Sequence, residues 1–414
     1  MYLTKEEERI LKGEDGEGFQ RAMELLVAVG DIYEAEKMIE ITSAQISSVA
    51  YTNSGETGIR FLEWLVSTGA HFKVLTTLNP HSIEHDRWKE VGFPKEFSLR
   101  QIANTKAYRK LGAVGTFTCT PFQVGNIPRF GEHIAWAESS ALSYANTVIG
   151  ARTNRESALG ALAAGLIGKS PLYGLHLNEN RKGQILINVE ANLREHSDYS
   201  ALGWSVGEKV MSKIPVFTGI PHNVDNYELN TLCAGLAVSG AVGMSHVPGI
   251  TPEAPTIDSA FGGEKPEETI TIEDKELKRV YEDRSTKGVG SKVDLVLLGC
   301  PHYGYRQLKK VSELLKGKKV HKDVRLWIAT STPIASAAKR VGWLDTIENT
   351  GAEIMCSYCA PVSRAAPFGF ETMATNSSKA TYYGVGGMGL KDTIFGTTEE
   401  CINAAIAGKW GERK

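Results

Sequence analysis

Apolar and polar positions along this chain fall into two alternating patterns, one with helical spacing and one with strand spacing. Thr4 followed by Glu7 has the form of a capping box and opens a short helix, and residues 18–29 form a second helix-like stretch ending near Gly30. Further on, residues 58–66 read as helix, 72–76 as strand, and 99–111 as helix again. The run 132–148 also carries a helical pattern. In the last third the alternation is clearest. Residues 293–298 are apolar except for Asp294 and have the length of a buried strand; 305–315 follow as helix, 324–329 as strand, 333–341 as helix with Thr332 as N-cap, and 352–355 as a third strand. This β-α-β-α-β order predicts an α/β fold with parallel sheets and right-handed crossovers.

Between residues 248 and 290 the chain turns polar, with a Pro/Gly-rich stretch followed by a charged helix, so a lobe boundary is expected there. The expected division is residues 1–110 as an N-terminal α/β segment, 111–270 as a central lobe and 271–414 as a C-terminal β-α-β lobe. No internal repeat or low-complexity tract is visible.

Composition narrows the function. The 414 residues are 42% apolar and 23% charged, enough for a normal core, and the net charge of −2 supplies no basic field for nucleic acid or an anionic membrane. No signal-like apolar segment opens the chain and no run of about 18 apolar residues occurs, so a cytoplasmic protein is expected. Six scattered cysteines are too few for a disulfide framework and read as core thiols or metal ligands.

Three of them stand out. Cys119 in GTFTCTPF, Cys300 in LVLLGCPHYG and Cys359 in IMCSYCAPVS each follow a predicted strand closely, and each has a proline one or two positions later. Ligands of open parallel sheets gather beyond the carboxyl ends of the strands, where these three thiols can converge. Cys233 and Cys401 fit the other reading, a small buried hydrophobe, and Cys356 is either a strand-end core residue or a substitute ligand. Three thiolates leave one iron of a four-iron cluster open to a substrate hydroxyl and carboxylate, an arrangement suited to dehydration.

The segment 115–180, with TTLNP at 76–80, SGAVGMSHVPGITPEA at 239–254, GCPH at 299–302 and TNSSKATYY at 375–383, resembles the catalytic subunit of the aconitase X family. The resemblance spans most of the chain. It implies aconitase-like α/β/α lobes around an iron–sulfur cluster, [4Fe-4S], with one iron not held by cysteine and with Cys119, Cys300 and Cys359 as ligands. Ser357 and Tyr358 depart from the residues expected before the last cysteine, which keeps Cys356 as the alternative to Cys359. The implied reaction is removal of water from a phosphorylated hydroxy acid, with (R)-5-phosphomevalonate the leading substrate and cis-3-hydroxy-L-proline the alternative. The implied partner is a small subunit, similar to the aconitase swivelling domain and bearing a serine base, expected as a separate chain because this one ends at Lys414. An RNA-binding cluster sensor is disfavoured by the absence of a basic stripe.

Other candidates follow from residue type. Arg152, Asn154 and Arg155 in ARTNRE, together with Arg129 and Lys379, are candidates for binding carboxylate or phosphate, with internal ion pairing as the competing role. Ser54, Gly55 and Glu56 precede a predicted helix and can hold an anion or simply cap it. Asn79 belongs to the TTLNP motif. Glu138 and His302 are the expected catalytic residues, while His133 and His246 are expected to support the site or the core. No Walker-type loop is present, so no nucleotide is expected.

Overall fold

Strands of this chain pair almost entirely in parallel, and the computed structural model, which describes residues 1–412, assembles them into three parallel sheets and one small antiparallel ribbon. The largest sheet has five strands in the spatial order Glu353–Met355, Arg325–Thr330, Leu295–Tyr303, Thr372–Thr375, Asp392–Phe395. The order reverses between the third and fourth of these, which opens a crevice at their carboxyl ends. Its central strand is apolar on both sides because both are covered. Val296 and Leu298 face the helices Tyr305–Leu315, Thr332–Arg340 and Thr398–Ala407, whereas Leu295 and Leu297 pack with Trp327, Tyr358 and Met388.

The N-terminal sheet joins Leu75–Leu78, Ser43–Ile46 and Ala135–Trp136, all parallel. The third sheet joins Pro215–Thr218, Ile185–Val189 and Glu268–Ile272. It is covered by the helices His196–Val210 and Asn226–Gly240, which meet through glycines: a Cβ on Gly203 would lie 2.3 Å from the Leu232 carbonyl oxygen, and one on Gly240 would lie 2.2 Å from that of Gly207. Only residues without a side chain allow these backbones so close.

Several expectations shift. The Thr4–Glu7 capping box forms, and Tyr305–Leu315 is helical as expected. The strand expected at 72–76 forms at Leu75–Leu78, and Ser331 instead of Thr332 stands at the N-cap position of the helix that follows Arg325–Thr330, without a side-chain capping bond. The helix expected over 132–148 begins only at Ser139; Ala135–Trp136 is drawn into the N-terminal sheet, and the Glu138 carboxylate caps the helix by accepting from the Ala141 N–H. That pairing also places the expected break at residue 110 between strands of one sheet. The polar stretch after 248 contributes Glu268–Ile272 to the third sheet before the charged helix Asp274–Asp283.

Candidate active site

Six parallel strands from two sheets deliver residues to one cavity of about 820 Å³. From the N-terminal sheet come Ser47 and Ser48 after Ser43–Ile46, Asn79 after Leu75–Leu78, and Glu138 with Ser139 after Ala135–Trp136. From the five-stranded sheet come Cys300, Cys359 beyond Glu353–Met355, and Lys379 beyond Thr372–Thr375. The carboxyl ends of parallel strands are where such sheets bind ligands, and here two sets of ends face each other.

Each cysteine is held differently. Cys119 does not follow a strand: residues 114–118 run beside Leu75–Leu78, with Val114 bridged to Thr77 and the Thr118 N–H on the Leu78 carbonyl at 3.2 Å. Gln45 Nε2 donates to the Thr118 carbonyl at 3.1 Å and to Asn79 Oδ1 at 3.0 Å, tying the loop to the sheet. Cys300 lies within its strand instead of after it, at an irregularity in the pairing with Arg325–Thr330. Cys359 ends a loop whose backbone pairs with His81, which donates to the Ser357 carbonyl and accepts from the Cys359 N–H.

Burial raises all three thiols, and Cys359 is pushed up to about 12. Cys119 is raised further by Glu138, Cys359 and Cys300, and Cys359 by Cys300, so the three are electrostatic neighbours. Cys356 is also raised to about 12, by burial and then Glu84; it does not line the cavity and its charged neighbours include no other cysteine. Cys233 and Cys401 are buried in the core.

Hydrogen-bond donors to each sulfur oppose that rise. The His302 N–H lies 3.3 Å from Cys119 Sγ, the Ser377 hydroxyl bonds to Cys300, and the Val362 N–H faces the Cys359 sulfur. Among the described residues no three His, Cys, Asp or Glu side chains converge on a point as for a single ion; the three thiols border a shared volume instead. Hydrogen-bonded sulfurs around a cavity fit an iron–sulfur cluster.

Opposite them sits an ion pair, Lys379 Nζ to Glu138 Oε1 at 2.7 Å, with side chains only 10% and 7% exposed. Burial alone would raise the carboxyl and lower the ammonium, but their attraction prevails, so Glu138 stays below its ordinary value and Lys379 above. Glu138 Oε2 also accepts from the Ser140 hydroxyl at 2.6 Å and the Ala141 N–H at 2.7 Å.

Other expected site residues lie elsewhere. His302 is buried behind the cysteines and does not line the cavity; both ring nitrogens are engaged by protein, so it has no ring nitrogen to offer substrate. Arg152 donates to the His176 carbonyl and to Asn178, and Asn154 bonds to the backbone of Tyr173 and Leu175. Arg129 is exposed near Glu132, and Arg155 approaches Tyr383 at the cavity wall without lining it. Ser54, Gly55 and Glu56 fall inside a helix kinked at Gly55; Glu56 pairs with Tyr51 and Arg100. His133 meets His176 at 2.9 Å, and His246 bonds to the Arg181 carbonyl, both in structural networks.

Sequence reasoning missed Arg284. It ends the helix Asp274–Asp283, stacks its guanidinium 4.5 Å from the Trp204 ring, and lines the cavity with a buried Nε that has no acceptor among the described residues. Nothing local marks it, because the helix reads as a solvated charged face. Ser47 and Ser48 carried a weak signal, since small polar residues directly follow a strand there.

Comparison with known proteins finds one family along most of the chain. The models for the aconitase X first, second and third domains match residues 1–179, 183–282 and 293–407. A phosphomevalonate dehydratase large subunit from Methanothermobacter thermautotrophicus is 43% identical over 395 residues, covering 95% of this chain and 96% of that one. A cis-3-hydroxy-L-proline dehydratase from Pseudomonas aeruginosa is 34% identical over 408 residues, 97% of this chain but 70% of that longer one. The crystal structure of Thermococcus kodakaraensis aconitase X in its holo-form superposes with a TM-score of 0.89 at 40% identity, covering 98% and 100% of the two chains.

Proposed function

The chain belongs to the aconitase X family, and from that premise we propose that it is the large subunit of a cytoplasmic dehydratase that removes water from (R)-5-phosphomevalonate, giving trans-anhydromevalonate 5-phosphate in a mevalonate route to isoprenoids. The observation that carries this reading is the meeting of three hydrogen-bonded thiols and a buried ammonium–carboxylate pair on one cavity. Cys119, Cys300 and Cys359 would hold an iron–sulfur cluster, [4Fe-4S] with one iron free of cysteine. When bound, such a cluster supplies a Lewis-acidic iron for the C3 hydroxyl and C1 carboxylate of the substrate.

The remaining chemistry is assigned to the chain's own groups. Lys379 stays an ammonium at neutral pH and presents a fixed positive charge to a substrate oxyanion. Glu138, already accepting from Lys379, Ser140 and Ala141, holds that ammonium in place and stays ionised, so it does not serve as a proton donor. Asn79 has its Oδ1 committed to Gln45, which leaves its amide N–H groups to donate to the substrate. Removal of the C2 proton is assigned to a base from outside this chain; the name "large subunit" carried by the relatives supports a small-subunit partner, and a serine of that partner is the group proposed for this role.

Arg284 favours the phosphorylated substrate. Among the described residues it is the second cation on the cavity wall, and its buried Nε–H has no acceptor there, as suits a phosphate oxygen. The identities point the same way, 43% against 34% for the hydroxyproline enzyme. The test is an anaerobic preparation with the small subunit, reconstituted with iron and sulfide and offered both substrates. Turnover of phosphomevalonate that depends on iron is expected; full activity without iron would overturn the reading.

A further inference from the structure

We infer that His302 is a positioning residue whose imidazole clasps the three cysteine-bearing segments into one arrangement, an inference that rests on the proposed cluster site. The ring lies two residues beyond Cys300 on the same strand. Its Nδ1 is 3.1 Å from the hydroxyl of Thr118, the neighbour of Cys119, and its Nε2 is 2.9 Å from the carbonyl oxygen of Tyr358, the neighbour of Cys359. The same residue's backbone N–H reaches Cys119 Sγ at 3.3 Å. These contacts join segments 184 and 56 residues away in sequence.

The chemistry of the partners fixes the tautomer. A carbonyl oxygen only accepts, so Nε2 carries the hydrogen and donates to Tyr358, which leaves Nδ1 as an acceptor. The Thr118 hydroxyl must therefore donate to Nδ1, and its oxygen is free to accept the Thr120 N–H at 3.2 Å, which closes the turn around Cys119. One side chain thus sets the relative position of all three sulfurs without facing the cavity. Glutamine at this position retains a donor where Nε2 stands and loses the acceptor for Thr118; phenylalanine fills the space and loses both bonds.

The test uses the full chain with its small subunit, loaded anaerobically with ferrous and ferric iron and sulfide, and reads the visible spectrum and the rate of iron release to a chelator. Loss of an outer partner of a metal ligand weakens a site by about 10- to 100-fold, so His302→Phe is expected to release iron at least about tenfold faster than wild type, with His302→Gln intermediate. Thr118→Val, which keeps the shape and removes the hydroxyl, is expected to fall between His302→Gln and wild type, and it carries the test if His302→Phe fails to fold. All three variants holding iron as firmly as wild type, with an unchanged spectrum, would overturn the clasp while leaving the cluster reading intact. A wild-type complex that takes up no iron and still turns over would overturn the cluster reading itself.

Discussion

Replacing Lys379 by Met separates the roles assigned to the buried pair. At 2.7 Å and an effective dielectric of about 20 the Lys379–Glu138 attraction is about 6 kcal/mol, much of it offset by removing both charges from water. Breaking a buried pair from one side costs about 3–5 kcal/mol. Glu138 keeps the Ser140 and Ala141 donors and can take up a proton, so Lys379→Met is expected to cost about 3 kcal/mol near neutral pH. The double variant Lys379→Met/Glu138→Gln leaves no unpaired charge and should recover much of this, giving a coupling of about 2 kcal/mol. The pH dependence adds a sign. In the wild type the Glu138 carboxyl is held below its ordinary 4.5, so its contribution is present above that value and is lost as pH falls through the depressed one. Without Lys379, burial dominates and the folded-state value rises above the unfolded one, so protonation stabilises the variant. The stability gap should therefore narrow as pH falls from about 6 to about 3. Urea denaturation of the two single variants and the double variant over that range is the assay. A coupling under about 0.5 kcal/mol, or a gap that widens in acid, would refute the argument.

Three further outcomes are expected. Serine at Cys119, Cys300 or Cys359 should each lower iron and sulfide per chain after reconstitution, whereas serine at Cys356, away from the cavity, should not; a loss confined to Cys356→Ser would reassign the third ligand. Glu156, raised to about 7 by burial, stays protonated in the folded protein while the unfolded chain ionises, so stability should decline between about pH 4.5 and about pH 7. Glu156→Gln should flatten that decline in denaturation midpoints taken across the window. Gly203→Ala pushes a methyl to 2.3 Å from the Leu232 carbonyl oxygen and should destabilise by about 1–3 kcal/mol, and an unchanged melting temperature would contradict the close helix contact.

Local pattern determined a good part of this protein. The capping box at Thr4 and Glu7, the run 293–298 and the helix Tyr305–Leu315 depend on residues close in sequence, so their spacing carries the information. The three cysteines stood out in the sequence by the proline one or two positions after each and by motifs that resemble one family along most of the chain, although Cys119 follows no strand and Cys300 lies inside one. Tertiary structure decided the rest. Ala135–Trp136 became a strand because Ser43–Ile46 offered it a partner about 90 residues away, which no helical period records. It moved Arg152 and Asn154 into backbone networks, brought Arg284 from a charged helix to the cavity wall, and turned His302 from a catalytic candidate into a link between loops. In each case the outcome depended on which distant group stood within contact, whether by hydrogen bond, strand pairing or, for Arg284, the Trp204 ring, and that distance is set by how the sheets and helices pack and not by the order of residues.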